Sequence, residues 1–77
     1  MRVRLFAILR ELAGSSHVEA GGSSVEEVVQ SLCDRYGDRF TEVVRRSQVV
    51  VDGERAHLDQ SLAGAKELAI LPPVSGG

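Results

Sequence analysis

With 77 residues, nine Lys and Arg against eleven Asp and Glu, and a net charge of −2, the chain has room for one domain and no second. A chain of this size buries only about 60% of the surface its unfolded form exposes, so its core is thin and a deep catalytic cleft is not expected. The single cysteine, Cys33, allows neither an internal disulfide nor a cysteine-rich zinc site and points to a reducing compartment.

The longest strictly apolar run, Leu5–Leu9, is far short of a membrane span. Arg2, Arg4 and Arg10 interrupt the N-terminus and no small-residue cleavage site follows, so no signal peptide is expected. The slightly acidic balance, with Arg45-Arg46 the one internal basic pair of note, argues against nucleic acid as a partner. A soluble cytoplasmic domain is the expectation.

Met1–Arg10 alternates cleanly, with Val3, Leu5, Ala7 and Leu9 on one face and Arg2, Arg4, Phe6, Ile8 and Arg10 on the other. This predicts one strand with a single buried side. Gly14-Ser15-Ser16 is a turn, His17–Ala20 a second strand and Gly21-Gly22-Ser23 a loop. Ser24 and Glu27 form an S-x-x-E capping box ahead of a helix whose apolar stripe is Val25, Val28, Val29, Leu32 and Tyr36. Gly37 suits the residue past its end, and Phe40, Val43 and Val44 add one more short helical turn. Gln48–Val51 is a β-branched strand, turned by Asp52-Gly53 into Glu54–His57. Leu58–Leu62 is a short turn or a 3₁₀ segment, Gly64 marks a loop, and Glu67–Leu71 is a last strand. Pro72-Pro73 ends it, since neither residue has an amide proton for a ladder. The predicted order is β-β-α-β-β-β, an α+β sheet covering one helix.

Six of the eight glycines serve turns or loops; Gly76 and Gly77 precede nothing that they could turn. A terminal Gly-Gly arises by chance in roughly one chain in 200, but its neighbours add meaning. Pro72-Pro73 favours a stiff, extended segment. Six residues at about 3.4 Å each carry the terminal carboxylate roughly 20 Å from the last strand. The chain thus divides into a domain, residues 1–71, and a tail, residues 72–77. Lacking a Cβ, the glycines can thread a narrow channel and approach a bound nucleotide closely. The chemistry this suits is activation of the Gly77 carboxylate. It would attack the α-phosphorus of ATP to give an acyl-adenylate, which a sulfur or nitrogen nucleophile displaces, with the catalytic groups on a partner.

A second candidate site adjoins the first. Leu68 and Ile70 fit the core, which leaves Glu67, Ala69 and Leu71 outside. If the first and last strands pair, Phe6 and Leu71 make an exposed apolar patch at the root of the tail, with Arg4 and Arg10 on the same face. Cys33 reads as a small buried hydrophobe. His17 and His57 lack metal-ligand spacing, so no metal site is expected.

The opening Val3-Arg4-Leu5-Phe6-Ala7-Ile8-Leu9-Arg10-Glu11-Leu12-Ala13-Gly14 and the ending Leu71-Pro72-Pro73-Val74-Ser75-Gly76-Gly77 resemble the small subunit of molybdopterin synthase. Ser24-Val25-Glu26-Glu27 and Val51-Asp52-Gly53-Glu54 match as well, so the resemblance covers essentially the whole chain. The Leu-Pro-Pro-Val-Ser-Gly-Gly ending is specific, whereas Gly-Gly alone fits any ubiquitin-like carrier.

The resemblance implies a ubiquitin-like β-grasp fold: a mixed sheet of four to five strands packed on one main helix, the first and last strands adjacent and parallel, with a flexible C-terminal tail. It further implies a sulfur carrier of molybdenum cofactor biosynthesis. A ubiquitin-activating-like adenylyltransferase consumes ATP to adenylate Gly77, and a sulfurtransferase converts it to a thiocarboxylate. The tail (Pro72, Pro73, Val74, Ser75 and Gly76 leading to Gly77) threads into the large synthase subunit and donates sulfur to cyclic pyranopterin monophosphate. The assembly is a heterotetramer whose catalytic residues lie on the large subunit, so the chain is not an enzyme alone and holds no stable cofactor. Phe6, Leu71 and Arg10 form the partner-binding patch. The chain departs from the family at Gly64-Ala65-Lys66-Glu67, where acidic side chains are common, and at Arg55, where an apolar contact is expected. Other readings are a carrier for thiamine thiazole, cysteine or tRNA thiolation, or a ubiquitin-like modifier of lysines.

Overall fold

The N-terminal alternation persists for only four residues. In the computed structural model, which describes residues 1–73, β1 runs Arg2–Leu5 and buries Val3 and Leu5. The predicted strand Met1–Arg10 is thus corrected in its second half. Phe6 is still extended (φ −128°, ψ 155°), Ala7 turns left-handed at φ 50°, and helix α1 (Ala7–Ala13) follows. The same residues carry a second periodicity. Leu5, Ile8, Leu9 and Leu12 recur at i, i+3, i+4 and i+7, so a helix buries Leu9 and leaves Arg10 and Glu11 exposed. Gly14, left-handed at φ 79°, ends the helix by donating its N–H to the Arg10 carbonyl at 2.9 Å. Arg10 therefore lies on α1 and not on the strand face shared by Arg4 and Phe6.

β2 (His17–Glu19) returns antiparallel to β1, with Val3 opposite Val18. Helix α2 (Val25–Tyr36) follows the predicted stripe and buries Val25, Val28 and Leu32. Ser24 Oγ accepts from the Glu27 N–H at 3.3 Å, one arm of the capping box. The other arm reaches one residue further back than expected, the Glu27 carboxylate accepting from the Ser23 N–H at 2.9 Å. The amides of Val25 and Glu26, which a first helical turn leaves free, donate to the Gln60 and Leu58 carbonyls at 3.0 and 2.8 Å. The 58–62 turn is thereby fastened to the helix start, and its Leu62 is buried.

Gly37 (φ 91°) joins α2 to α3 (Asp38–Arg45), an eight-residue helix where one short turn is expected. Phe40 is fully buried with its ring 5.0 Å from that of Tyr36, the one aromatic in an otherwise aliphatic core. β3 (Gln48–Val51) turns through Asp52 (φ 49°) and Gly53 (φ 87°) into β4 (Glu54–Arg55), which stops two residues before its expected end. β5 (Glu67–Leu71) keeps its predicted bounds.

The five strands are ordered β2-β1-β5-β3-β4, with β1 and β5 parallel and the other pairs antiparallel. This is the β-grasp arrangement that the resemblance implies, built with three helices among the described residues in place of one main helix. None of these helices is long and apolar enough to cross a membrane.

Asp52 does more than turn a hairpin. Both its carboxylate oxygens accept from the Lys66 N–H at 3.1 Å, and one also accepts from the Glu67 N–H at 2.9 Å. These charge-assisted bonds fix the start of β5. Asp52→Ala is expected to lower the unfolding free energy by about 1–2 kcal/mol in urea titration, and Asp52→Asn, which keeps one acceptor, by about half as much. Equal losses in the two variants would assign the effect to charge instead of hydrogen bonding.

Candidate functional site

The site begins where β5 ends. Leu68 and Ile70 are fully buried, while Glu67, Ala69 and Leu71 alternate onto the opposite face of the sheet, half-buried. Leu5 stands opposite Ile70 in the parallel β1–β5 pair. One residue further along, Phe6 and Leu71 lie at the same end of the two central strands, at the root of the tail. Phe6 is half-buried and not fully exposed as expected, and the Arg4 guanidinium covers its ring at 5.3 Å from the centroid. Arg10, the third member of the expected patch, stands apart on α1.

The register adds members that alternation does not reveal. Arg4 is opposite Ala69, Ala69 opposite Val50, and Val50 opposite Arg55, so one row crosses the sheet from β1 to β4. Leu71 is opposite Gln48 in the next row. The face therefore has an apolar centre, Phe6, Ala69, Leu71 and Val50, with an arginine toward either side. Val50 is hidden in the sequence because Val49, Val50 and Val51 are alike; only pairing with Leu68, Ala69 and Ile70 separates inner from outer. Arg55, expected to interrupt an apolar contact, takes the edge of this row.

Pro72 is half-buried and Pro73 exposed. The remainder of the tail, Val74, Ser75, Gly76 and Gly77, lies outside the described residues. Cys33 is buried, as expected, with one side toward a groove of about 450 Å3 between α2, α3 and the β3 edge. Val29, Val44, Val49, Ala56 and Leu58 line it as well, and Leu58 is 55% exposed. His17 Nδ1 lies 3.2 Å from Ser16 Oγ. Among the described residues, no three His, Cys, Asp or Glu side chains gather as metal ligands would. The described surface here has an apolar centre with cations at its margin, at the end of β5 where Pro72 and Pro73 begin.

The model of the ThiS family matches residues 3–77. The chain belongs to the ThiS family. Small archaeal modifier protein 1 of Haloferax volcanii is 35% identical across the whole of both chains. Its crystal structure superposes with a TM-score of 0.75, covering 100% of this chain and 98% of that one. The solution structure of small archaeal modifier protein 1 from Methanosarcina acetivorans gives a TM-score of 0.86 at 31% identity, over 99% and 94% of the two chains. A chain of the Amycolatopsis orientalis BexX/CysO complex gives 0.78 at 30% identity, over 99% and 98%. This ThiS-family chain is a ubiquitin-like sulfur carrier in the broad sense, and its fold is the β-grasp of these neighbours.

Phe6 is half-buried and is not one of the side chains that form the core cluster. Phe6→Ala is expected to cost about 1 kcal/mol of stability, the scale of a partly exposed cation–π contact with some packing. A loss above about 3 kcal/mol on chemical denaturation would class Phe6 with the core side chains instead.

Proposed function

We propose that this ThiS-family chain is the sulfur-carrier small subunit of a molybdopterin synthase. The observation that carries the reading is the convergence of Phe6 and Leu71 at the end of the parallel β1–β5 pair, beside a tail that reads Pro72-Pro73-Val74-Ser75-Gly76-Gly77. A domain that presents an apolar face and a threadable carboxylate from one end suits a carrier whose partners hold the active sites. The Leu-Pro-Pro-Val-Ser-Gly-Gly ending and the Val3–Gly14 opening favour the molybdopterin branch.

In this mechanism the Gly77 carboxylate attacks the α-phosphorus of ATP held by an adenylyltransferase, and pyrophosphate leaves. A sulfur donor then displaces AMP, giving the thiocarboxylate. Gly76 and Gly77 present no Cβ to the channel walls, so the carbonyl can approach the nucleotide closely. The domain's part is positional: docking through Phe6, Leu71 and the row from Arg4 to Arg55 places the tail root, and the prolines narrow the directions it takes. Sulfur passes to cyclic pyranopterin monophosphate in the large subunit, whose residues supply the catalysis.

A second reading, a modifier joined to lysines, is favoured by the full-length likeness to a protein named as a modifier. The likeness to a CysO chain favours a cysteine route in the same way. All three begin at the same acyl-adenylate: the two sulfur routes share the thiocarboxylate and differ in what then takes the sulfur, whereas in the modifier a lysine amine displaces AMP. Purifying the protein from its own cells and reading its intact mass separates them. Exchange of one oxygen for sulfur together with a synthase-type larger subunit supports the proposal, and a lysine-linked conjugate alone supports the modifier.

Removing Gly77 is expected to abolish sulfur transfer with no change in the thermal midpoint, because no core residue is touched; retained transfer would sink the mechanism. Phe6→Ala is expected to weaken docking on the large subunit by about 1–3 kcal/mol, measured by calorimetry. Unchanged affinity would move the interface elsewhere.

A further inference from the structure

The helix side of the sheet holds a surface that the proposed chemistry does not use. The groove of about 450 Å3 between α2, α3 and the β3 edge has an apolar floor of Val29, Cys33, Val44, Val49 and Ala56. Its volume falls in the range of ligand-sized sites and leaves room to seat an aliphatic side chain. Leu58 stands at its rim, 55% exposed, the one large apolar side chain exposed among the described residues. Socket and plug thus lie on one face of the molecule.

The margins of the groove carry opposite charges at opposite ends. Glu26 lies at the start of α2, its N–H bonded to the Leu58 carbonyl at 2.8 Å, in the segment that leads on to the start of β5. Arg45 ends α3, just ahead of Gln48, which stands opposite Leu71 at the other end of β5. The groove therefore has an acidic end, where Leu58 stands, and a basic end, floored by Val44 and by Cys33. Along α2, Cys33 is two turns from Glu26, roughly 10 Å. Glu26 and Arg45 are both exposed, and the two ion pairs among the described residues, Met1 with Glu19 and Arg2 with Glu67, use neither. Arg55 borders the groove as well, but its register with Val50 assigns it to the outer row.

We infer that this groove is the interface between two copies of the chain related by a two-fold axis. In such a contact the same patch serves both copies, so the patch must complement itself. Two antiparallel copies lay the acidic end of each groove over the basic end of the other, and Glu26 faces Arg45 twice. Each Leu58 then enters the other copy's groove over Val44 and Cys33, which removes the exposed leucine from water. A second copy is the occupant that these margins select, because a partner segment of one charge sign meets a like charge at one end.

One groove and one leucine per copy bury less than the about 800 Å2 that each partner gives a standard interface, so the dimer is weak and concentration-dependent. It also leaves the outer face of the sheet clear. Val49 is opposite the buried Ile70 and Val50 opposite Ala69, so the two valines turn to opposite sides of β3. Phe6, Ala69 and Leu71 stay uncovered in both copies.

The test is sedimentation velocity of the full-length chain over a concentration series reaching about 1 mM, the weak end of specific association. Circular dichroism checks that each variant is folded. The parent chain is expected to dimerise. Leu58→Ser and Glu26→Arg are each expected to weaken self-association about tenfold, the first by removing the apolar anchor and the second by setting like charges opposite each other. The double variant Glu26→Arg with Arg45→Glu restores it to within about threefold of the parent, which a merely structural role for either residue would not do. Phe6→Ala, on the outer face, leaves it unchanged. A parent chain that stays monomeric overturns the inference and leaves the groove to another occupant. Self-association undiminished in Leu58→Ser or in Glu26→Arg, or a charge swap that restores nothing, overturns it as well. Loss of the dimer in Phe6→Ala overturns it by moving the contact to the outer face.

Discussion

The parallel pairing of β1 with β5 is the constraint on which the rest of the structure depends. Parallel neighbours cannot be joined by a tight turn, so everything from Phe6 to Lys66 is the connection between them. That connection carries α2, which lies over the sheet and buries Val25, Val28 and Leu32 with Val3, Leu5, Leu68 and Ile70. Chain ends are ordinarily where a domain frays. Here the first and last strands are the sheet's centre, flanked by β2 and β3, and the tail departs from the best-supported strand in the molecule. Leu71 is held there by its pairing with Gln48 and by the buried Leu68 and Ile70 that precede it.

The two faces of that sheet are built to different rules. The inner face is wholly apolar, and no polar or charged residue is buried among those described. The outer face mixes Phe6, Ala69, Val50 and Leu71 with Arg2, Arg4 and Gln48. A fully apolar outer face on so small a domain would promote self-association; arginines set beside it keep it wetted. The Arg4 guanidinium over Phe6 does this locally, covering a ring that the alternation of β1 turns away from the core.

The helix α2, the Asp52-Gly53 hairpin and the bounds of β5 were legible because each rests on local chemistry: a cap, a positive-φ turn, and alternation closed by prolines. The burial of Leu68 and Ile70 and the outward placing of Leu71 were legible for the same reason. The first ten residues were not, since Leu5, Ile8, Leu9 and Leu12 satisfy a helical period while Val3, Leu5, Ala7 and Leu9 satisfy a strand. The conflict is resolved at Ala7, whose φ of 50° no alternation signals. That resolution moved Arg10 off the patch and left Phe6 as the hinge between strand and helix, its carbonyl accepting from the Leu9 N–H at 3.1 Å. What depends on distant pairing stayed out of reach: Val50 on the outer face, the 58–62 turn fastened to α2, and Asp52 reaching across to Lys66 and Glu67.

β5 therefore has a different device at each end. At its start, a carboxylate gathers two backbone amides and fixes where the strand begins. At its end, Pro72 and Pro73 offer no amide to extend the ladder, and the strand stops at Leu71. Loosening it at the start would let the register with β1 slip and turn Leu71 inward. Holding both ends keeps five residues in one register, with Leu71 beside Phe6. In this way a small, mainly aliphatic core is sufficient to fix where β5 ends and Pro72 begins.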